Sequence, residues 1–381
     1  MNRWKTPTAL LGVEELKAAV KGKTVALMFN HTSLDNDARS LIEVITGEWD
    51  TKVSHFIGME HGLNGHMIAE GIPSSIDPKT GILIKSIYDY PSKYPISELV
   101  AGIDAVIFTA QDAGIRHYTY FPHLVRIMNI CSDCGVAVYI LDRPNPLGGL
   151  AVEGRGMEEE FFSCVGAFDY PLRHGLTIGE LALIYKDRYQ KKCEVNVIRM
   201  KGWTRDMVYA DTGHIFTSAS PNIPTAETFF DFGITGLLQD TKTSFGRGTP
   251  RPFRMIGTEW TDGDKLAREL NSRDLKDIYF SPMYFAPDTD REQDHVCSGV
   301  ITHRLSNDIP LYEVALNIFS ALMKLYPGKL EFTNEFLFNR RIGSRELMNI
   351  IKEGKEPLSL LEAWEDNANR FKEFRKDYLL Y

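Results

Sequence analysis

The sequence has no long apolar run, no long basic run and no ordered set of cysteines. Its apolar stretches fall short of the roughly 18 residues that a membrane-spanning helix needs. The formal net charge is −8, which argues against nucleic acid or an anionic membrane surface as the main partner. The five cysteines are odd in number and scattered, so no disulfide framework is predicted.

Several ligand-binding motifs are also absent. No G-x-G-x-x-G follows the first apolar strand and no G-x-x-x-x-G-K-[ST] occurs, so a dinucleotide or P-loop site is not predicted. No H-E-x-x-H appears, and the C-x-x-C at Cys131 and Cys134 has no second pair at zinc spacing. We therefore expect neither a metal nor a cofactor.

The first residues lack the apolar core of a signal peptide. We expect a cytoplasmic protein, or a periplasmic or secreted one from which a signal was removed. The 381 residues are about right for two domains, and the sequence predicts no oligomeric state.

Four apolar segments in the first half of the chain are typical of buried strands. They are Thr24 to Phe29, Val53 to Ile57, Asp104 to Ala110 and Val136 to Leu141. Helical patterns alternate with them, which favours a Rossmann-like, doubly wound parallel sheet. We assign this sheet to a first domain at residues 1–169 and a smaller α+β domain to residues 170–381.

Each of the four strands ends in polar residues: Asn30 and His31, Glu60 and His61, Gln111 and Asp112, Asp142 and Arg143. Because parallel strands have their carboxyl ends at one edge of a sheet, we expect these side chains to form one concave polar site. Glu60 is the candidate for proton transfer, because Gly62 permits a turn that presents it outward. The alternative is a solvated Glu at an ordinary strand exit.

The second half of the chain contains one feature that suits an anionic ligand. Arg247 and Arg251 lie among glycines and prolines, which hold such loops in fixed shapes. Forked guanidinium groups on a shaped loop can bind a carboxylate through two hydrogen bonds. The alternative is that both are ordinary surface charges. Thr177 and Glu180 fit a helix capping box, which is the favoured role for Glu180.

The ordered motifs of the whole chain resemble one family. They are Asn30-His31-Thr32, Glu60-His61-Gly62, Ser75 to Gly81, Gln111-Asp112-x-Gly114-x-Arg116-x-Tyr118-Thr119-Tyr120, Asp142-Arg143-Pro144-Asn145-Pro146, Arg173-His174-Gly175, Ser220-Pro221-Asn222, Gly246 to Phe253 and Tyr378 to Tyr381. The family is the one catalogued as DUF1343, whose members are described as exo-β-N-acetylmuramidases of the NamZ type.

The resemblance implies release of N-acetylmuramic acid from the non-reducing end of peptidoglycan fragments, in a cleft between two domains. Glu60 matches the family's proposed catalytic Glu and is our general acid. Asp112 is the candidate second carboxylate, as a base or to orient the acetamido group. Arg116, Arg247 and Arg251 are candidates for the lactyl carboxylate, and Tyr118 and Tyr120 for the sugar, with packing an equal alternative for the two tyrosines. The remaining expected contacts with this small glycan are Asn30, His31, His61, Asp142, Arg143, Asn145, His174 and Asn222.

The chain departs from the family at two places. Leu63 and Asn64 stand where the family often has an aromatic residue and an Arg. The segment 239–245 replaces a stretch in which the family usually has two acids and an Asn. These changes motivate an alternative, a muramyl-sugar binding or sensor protein with no turnover. An esterase or amidase is less favoured, because no G-x-S-x-G is present.

Overall fold

The computed structural model describes residues 7–67, 72–90 and 92–381. A seven-stranded sheet forms the centre of its first part, with strands β1 (Thr24–Phe29), β2 (Lys52–Gly58), β3 (Ser75–Ile76), β4 (Leu83–Ser86), β5 (Ala105–Thr109), β6 (Ala137–Leu141) and β7 (Val195–Ile198). Their spatial order is β3-β4-β2-β1-β5-β6-β7. All neighbouring pairs are parallel except β3 with β4. The predicted Rossmann-like sheet is confirmed.

Helices cover both faces of this sheet: α1 (Val13–Ala19), α2 (Leu41–Glu48), α3 (Tyr120–Cys134) and α4 (Ile178–Arg188). In β1, Val25, Leu27 and Phe29 share one core with α1 and α2, whereas Ala26 and Met28 belong to the core that α3 and α4 complete. A strand directs successive side chains to opposite faces, so a continuous apolar run fits a sheet buried on both sides.

The helix ends follow the local sequence. Gly135 stops α3 in the left-handed region, with φ of 70°, where a residue without Cβ carries no penalty. The predicted capping box opens α4: the Thr177 hydroxyl accepts from the backbone N–H of Glu180, and the Glu180 carboxylate accepts from that of Thr177. Glu180 also pairs with Arg205 at 2.8 Å and accepts from the N–H of Leu380, which attaches the end of the chain to the first domain.

The rest of the chain builds a smaller α+β region. Its three-stranded antiparallel sheet has β8 (Met255–Thr258), β9 (Ile278–Phe285) and β10 (Cys297–Arg304), with β10 in the centre. The helices are α5 (Thr228–Thr235), α6 (Gly263–Asn271), α7 (Leu311–Leu325), α8 (Glu335–Ile342), α9 (Glu346–Lys352) and α10 (Leu361–Phe374). No helix among the described residues has the length and apolar character needed to cross a bilayer.

One strand lies in a different sheet from the one expected. The segment 195–200, which the sequence places in the second domain, contains β7, and β7 pairs in parallel with β6 at the edge of the large sheet. Helix α4 is the crossover between them, as parallel neighbours require. The large sheet therefore continues beyond residue 169, and the position of the domain boundary stays a prediction.

Buried His55 on β2 makes the stability of this sheet sensitive to acid. Its Nε2 lies 2.9 Å from the carbonyl oxygen of Leu99, and burial lowers the pKa of His55 to about 4. An unfolded histidine has a pKa of about 6.5. Below that pH the unfolded chain binds a proton that folded His55 does not, so the free energy of unfolding falls toward pH 4.

We expect His55→Gln to remove this contribution, because its amide can still donate to Leu99 but does not titrate. Between pH 6.5 and 4 the free energy of unfolding of the parent should decrease by up to about 1.4 kcal/mol per pH unit more than that of the variant, with the steepest difference near pH 5. Urea unfolding at a series of pH values measures both slopes. Equal slopes would contradict the assignment.

Candidate active site

Glu60 lies just beyond the carboxyl end of β2, where the chain reverses sharply. His61 and Gly62 both have left-handed backbones, with φ of 67° and 72°. A non-glycine residue adopts this conformation only when its surroundings hold it there, and His61 Nδ1 lies 2.8 Å from the carbonyl oxygen of Met67. The turn leaves Glu60 half-buried and directed into a cavity, as expected from Gly62.

The cavity has a volume of about 220 Å³ and lies between the two parts of the chain. Three groups of residues line it. The large-sheet domain contributes Glu60, His61, His117, Tyr118 and Thr119. The connecting loops contribute Val165, Ser220, Asn222 and Ile223. The smaller region contributes Phe232, Gln239, Arg247, Phe253 and Arg341. The polar edge of the parallel sheet and the side chains of the smaller region therefore line one shared cavity.

Two arginines make the far wall of the cavity cationic. Arg247 forms an ion pair with Asp290 at 3.2 Å, and Arg341 forms one with Asp240 at 2.8 Å. Burial lowers the pKa of Arg247, although Asp290 opposes this effect. A guanidinium group held by one carboxylate still has further N–H groups, so this wall suits an anionic ligand.

His117 is a cavity residue that the predicted set of site residues did not include. The residue is 3% exposed, and neither ring nitrogen has a hydrogen-bond partner among the described residues. Burial lowers the pKa of His117 well below its usual value, so the ring is neutral, with one donor and one acceptor. Buried polar atoms usually have partners, so a ligand hydroxyl or amide would fit here.

Tyr88 and His123 are further residues that the sequence analysis missed. The hydroxyl of Tyr88 donates to Oε2 of Glu60 and also lies 3.1 Å from Nε2 of His123. Tyr88 follows β4, so the rule that selected residues after the other strands would have found it. His123 lies on α3, whose first turn carries no comparable signal.

Several predicted residues instead hold the loops at this edge. Asp142 accepts from Thr177, Gly179 and Tyr381 at 2.6–3.0 Å. The other contacts are of the same kind. Arg143 donates to Thr109 and Leu34, Asn145 to the carbonyl of Leu176, and His174 accepts from the N–H of Leu176. These buried side chains satisfy backbone groups of the loops and do not line the cavity.

Asp112, the predicted second carboxylate, is not brought to the cavity that holds Glu60. Its Oδ2 accepts from the N–H of Gly114 at 2.7 Å, and it lines a separate, much smaller cavity with Asp142 and Arg143. Burial raises the pKa of Asp112 to about 7. The difference from the prediction arises because the loop after β5 turns Asp112 inward, where it satisfies that loop's backbone.

The remaining predicted residues divide between cavity and support. Asn222, Tyr118 and His61 line the cavity. Asn30 instead supports its wall, because its side-chain amide donates to the hydroxyl of Tyr120. Tyr118 and Tyr120 both donate to the carbonyl of Ala219, and His31 Nε2 lies 2.6 Å from that of Ser218. These bonds attach the loop at 218–223 to the sheet edge. Arg251 is exposed and lies outside the cavity.

The fold and the cavity together define a two-part α/β protein with an acid at the sheet edge and cations opposite it. Models of the exo-beta-N-acetylmuramidase NamZ N-terminal and C-terminal domains match residues 25–227 and 232–381. The chain belongs to this family, which is one of glycoside hydrolases.

Individual relatives agree with this assignment. The chain is 33% identical to the peptidoglycan beta-N-acetylmuramidase NamZ of Bacillus subtilis (strain 168), over 99% of this chain and 92% of that protein. Two DUF1343 family crystal structures from Bacteroides fragilis are similar to it. One has a TM-score of 0.91 at 29% identity and the other 0.77 at 28%, and each comparison covers 98% of this chain and 99% of that one.

Arg116, a predicted ligand for the lactyl carboxylate, is instead a structural residue. It is 1% exposed, and its guanidinium donates to the carbonyls of Arg155, Tyr170, Arg341 and Ile342. Its position differs from the prediction because these acceptors lie 39 to 226 residues away in sequence and carry no local signal. Its hydrogen bonds join the two parts of the chain.

We expect Arg116→Ala to reduce the free energy of unfolding by about 3 kcal/mol or more, because two buried and two partly buried carbonyls lose their donor. The matched control is Arg251→Ala, an exposed arginine that should change it by less than about 0.5 kcal/mol. Urea unfolding monitored by tryptophan fluorescence compares the two. Similar small effects in both variants would show that Arg116 is not a structural anchor.

Proposed function

We propose that this chain is an exo-β-N-acetylmuramidase that releases N-acetylmuramic acid from the non-reducing end of peptidoglycan fragments, with Glu60 as the general acid. The observation that carries the proposal is that Glu60 and Arg247 line the same cavity from opposite parts of the chain. Family membership and the activity in the name of the Bacillus subtilis relative support it.

The acid chemistry follows from what a glycosidic bond requires. The leaving oxygen must receive a proton while the anomeric carbon becomes oxocarbenium-like. Glu60 gives its proton to the glycosidic oxygen, and the bond between that oxygen and the anomeric carbon breaks. Water supplies the hydroxyl that ends on the anomeric carbon, and its other proton restores Glu60.

The cationic wall accounts for recognition of a muramyl sugar. The lactyl ether gives this sugar a carboxylate that N-acetylglucosamine lacks, and a guanidinium fork matches a carboxylate in shape and charge. Arg247 and Arg341 are the candidates. A volume of about 220 Å³ is below the range of about 300–1,000 Å³ typical of small-molecule sites, which suits one terminal sugar and removal of single residues.

A binding protein without turnover is the second candidate function. The observation that favours it is Gln239, which lines the cavity where the family usually has a Glu. Gln cannot ionise or transfer a proton. Tight binding of the muramyl sugar by the parent protein, with no reducing sugar released over hours, would favour this function over the hydrolase.

We expect Glu60→Gln to lower kcat on a disaccharide with N-acetylmuramic acid at its non-reducing end by about 10²- to 10⁴-fold, because the leaving sugar oxygen needs a proton and the amide keeps the shape of the acid but has none to give. The control is Glu362→Gln, at an exposed position on α10, which should retain the parent rate. Turnover of Glu60→Gln within a few-fold of the parent would exclude Glu60 as the acid.

We expect Arg247→Gln to lower kcat/KM for the muramyl glycoside by about 10- to 100-fold, because a charge-assisted bond to the lactyl carboxylate is lost. The same variant should barely change turnover of the N-acetylglucosaminyl glycoside, which lacks that carboxylate. Arg251→Gln, an exposed change on the same loop, is the matched control. An equal loss on both substrates would show that Arg247 does not recognise the lactyl group.

A further inference from the structure

A hydrogen-bonded chain of three side chains extends from the cavity into the core of the first domain. The Tyr88 hydroxyl donates to Oε2 of Glu60 and lies 3.1 Å from Nε2 of His123. The rings of Tyr88 and His123 meet edge to face, with centroids 5.5 Å apart. Glu60 and Tyr88 are half-buried, and His123 is 4% exposed.

The register of two parallel strands brings Tyr88 and Glu60 together. Gly58 of β2 is paired with Ser86 of β4, and Glu60 and Tyr88 are each two residues beyond that pair. The segment that carries Tyr88 is fixed by its backbone. The N–H of Ile87 donates to the carbonyl of Gly58, and Arg126 donates to the carbonyl of Ile87.

The donor and acceptor roles in this chain follow from chemistry. Burial lowers the pKa of His123 to about 3, with Arg126 adding to the effect, so the ring is neutral and has one N–H. A phenol donates to an ionised carboxylate, which can only accept. The Tyr88 oxygen is then an acceptor toward His123, so Nε2 must carry the ring hydrogen; otherwise two lone pairs would face each other at 3.1 Å.

We propose that Tyr88, held by His123, is a positioning residue that directs the proton of Glu60 and stabilises the carboxylate left after proton transfer. This inference rests on the proposed function of Glu60. With the hydrogen of Tyr88 directed at Oε2, the acid form of Glu60 carries its proton on Oε1. That proton goes to the leaving oxygen, while Tyr88 keeps its own hydrogen and strengthens its bond to the new carboxylate.

Other titratable or charged groups also surround Glu60 and act on its ionisation. Among the described residues they include His61, His117, Tyr118, Tyr120, Arg247 and Arg341. Burial lowers the pKa of His61 and of His117 and raises that of Tyr118 and of Tyr120, so these four remain neutral near pH 7. A substitution at Tyr88 leaves the two arginines unchanged. A difference in the pKa of Glu60 between parent and variant therefore reports the loss of the Tyr88 hydrogen bond.

The test is Tyr88→Phe, which removes one hydroxyl. On a disaccharide with N-acetylmuramic acid at its non-reducing end, we expect kcat to fall by about 10- to 100-fold with KM close to the parent value, because the bond strengthens in the transition state. The alkaline limb of the kcat/KM profile should move up by about one pH unit, because the ionised acid loses a donor. Tyr94→Phe, at an exposed tyrosine nearby, is the matched control.

His123 provides a second, independent variant. His123→Gln places an amide N–H near the position of Nε2, and we expect it to retain much more activity than His123→Phe, which offers no donor and should show the same pH shift as Tyr88→Phe. Thermal unfolding midpoints confirm that each variant is folded. A profile for Tyr88→Phe that coincides with the parent's in rate and alkaline limb would overturn the proposal.

A direct titration separates this proposal from the proposed function. The carboxyl carbon of Glu60, labelled with carbon-13 and assigned by its loss in Glu60→Gln, should titrate at higher pH in Tyr88→Phe than in the parent. This result holds whether or not the glycoside is cleaved. Absence of turnover by the parent would contradict the hydrolase alone, and an unchanged titration would contradict the role of Tyr88 alone.

Discussion

The parallel pairing of β2 with β1 on one side and β4 on the other is the constraint on which the site depends. Parallel strands end at the same edge, so the residues beyond β2 and β4 must lie side by side. The pairing of Gly58 with Ser86 sets Glu60 beside Tyr88. The register of the two strands therefore determines their relative position. Because β1 and the carboxyl-terminal half of β2 are buried, a change of register between these strands would expose core residues.

The loops at this edge need many internal hydrogen bonds. Polar side chains that form these bonds are not available to contact a ligand. A buried backbone carbonyl or N–H without a partner is costly, so Arg116, Asp112 and Asp142 are occupied in satisfying the chain. Glu60, His117 and Arg247 line the cavity instead. The acid comes from the large sheet and the cation from the smaller region, so a ligand that needs both must bind between the two parts.

The apolar runs of the sequence predicted four central strands, and the rule of parallel carboxyl ends predicted the edge that holds Glu60. Side-chain direction was not predictable, because residue type does not show whether Asp112 points to a ligand or to its own loop. Arg116 was misassigned because its acceptors are distant in sequence. Arg341 carried no signal, because only the packing of α8 brings it to the cavity. The same rule would have selected Tyr88, but Tyr88 follows the short strand β4, to which we did not apply it.

The central claim is that an acid and a cationic wall in one small cavity remove a terminal muramyl sugar. Incubation of the protein with two isomeric disaccharides, followed by mass analysis of the released sugars, tests it most directly. We predict release of N-acetylmuramic acid from the disaccharide with muramic acid at its non-reducing end, and at least about tenfold slower cleavage of the isomer with glucosamine there. Equal cleavage of both, or cleavage of neither, would contradict the account.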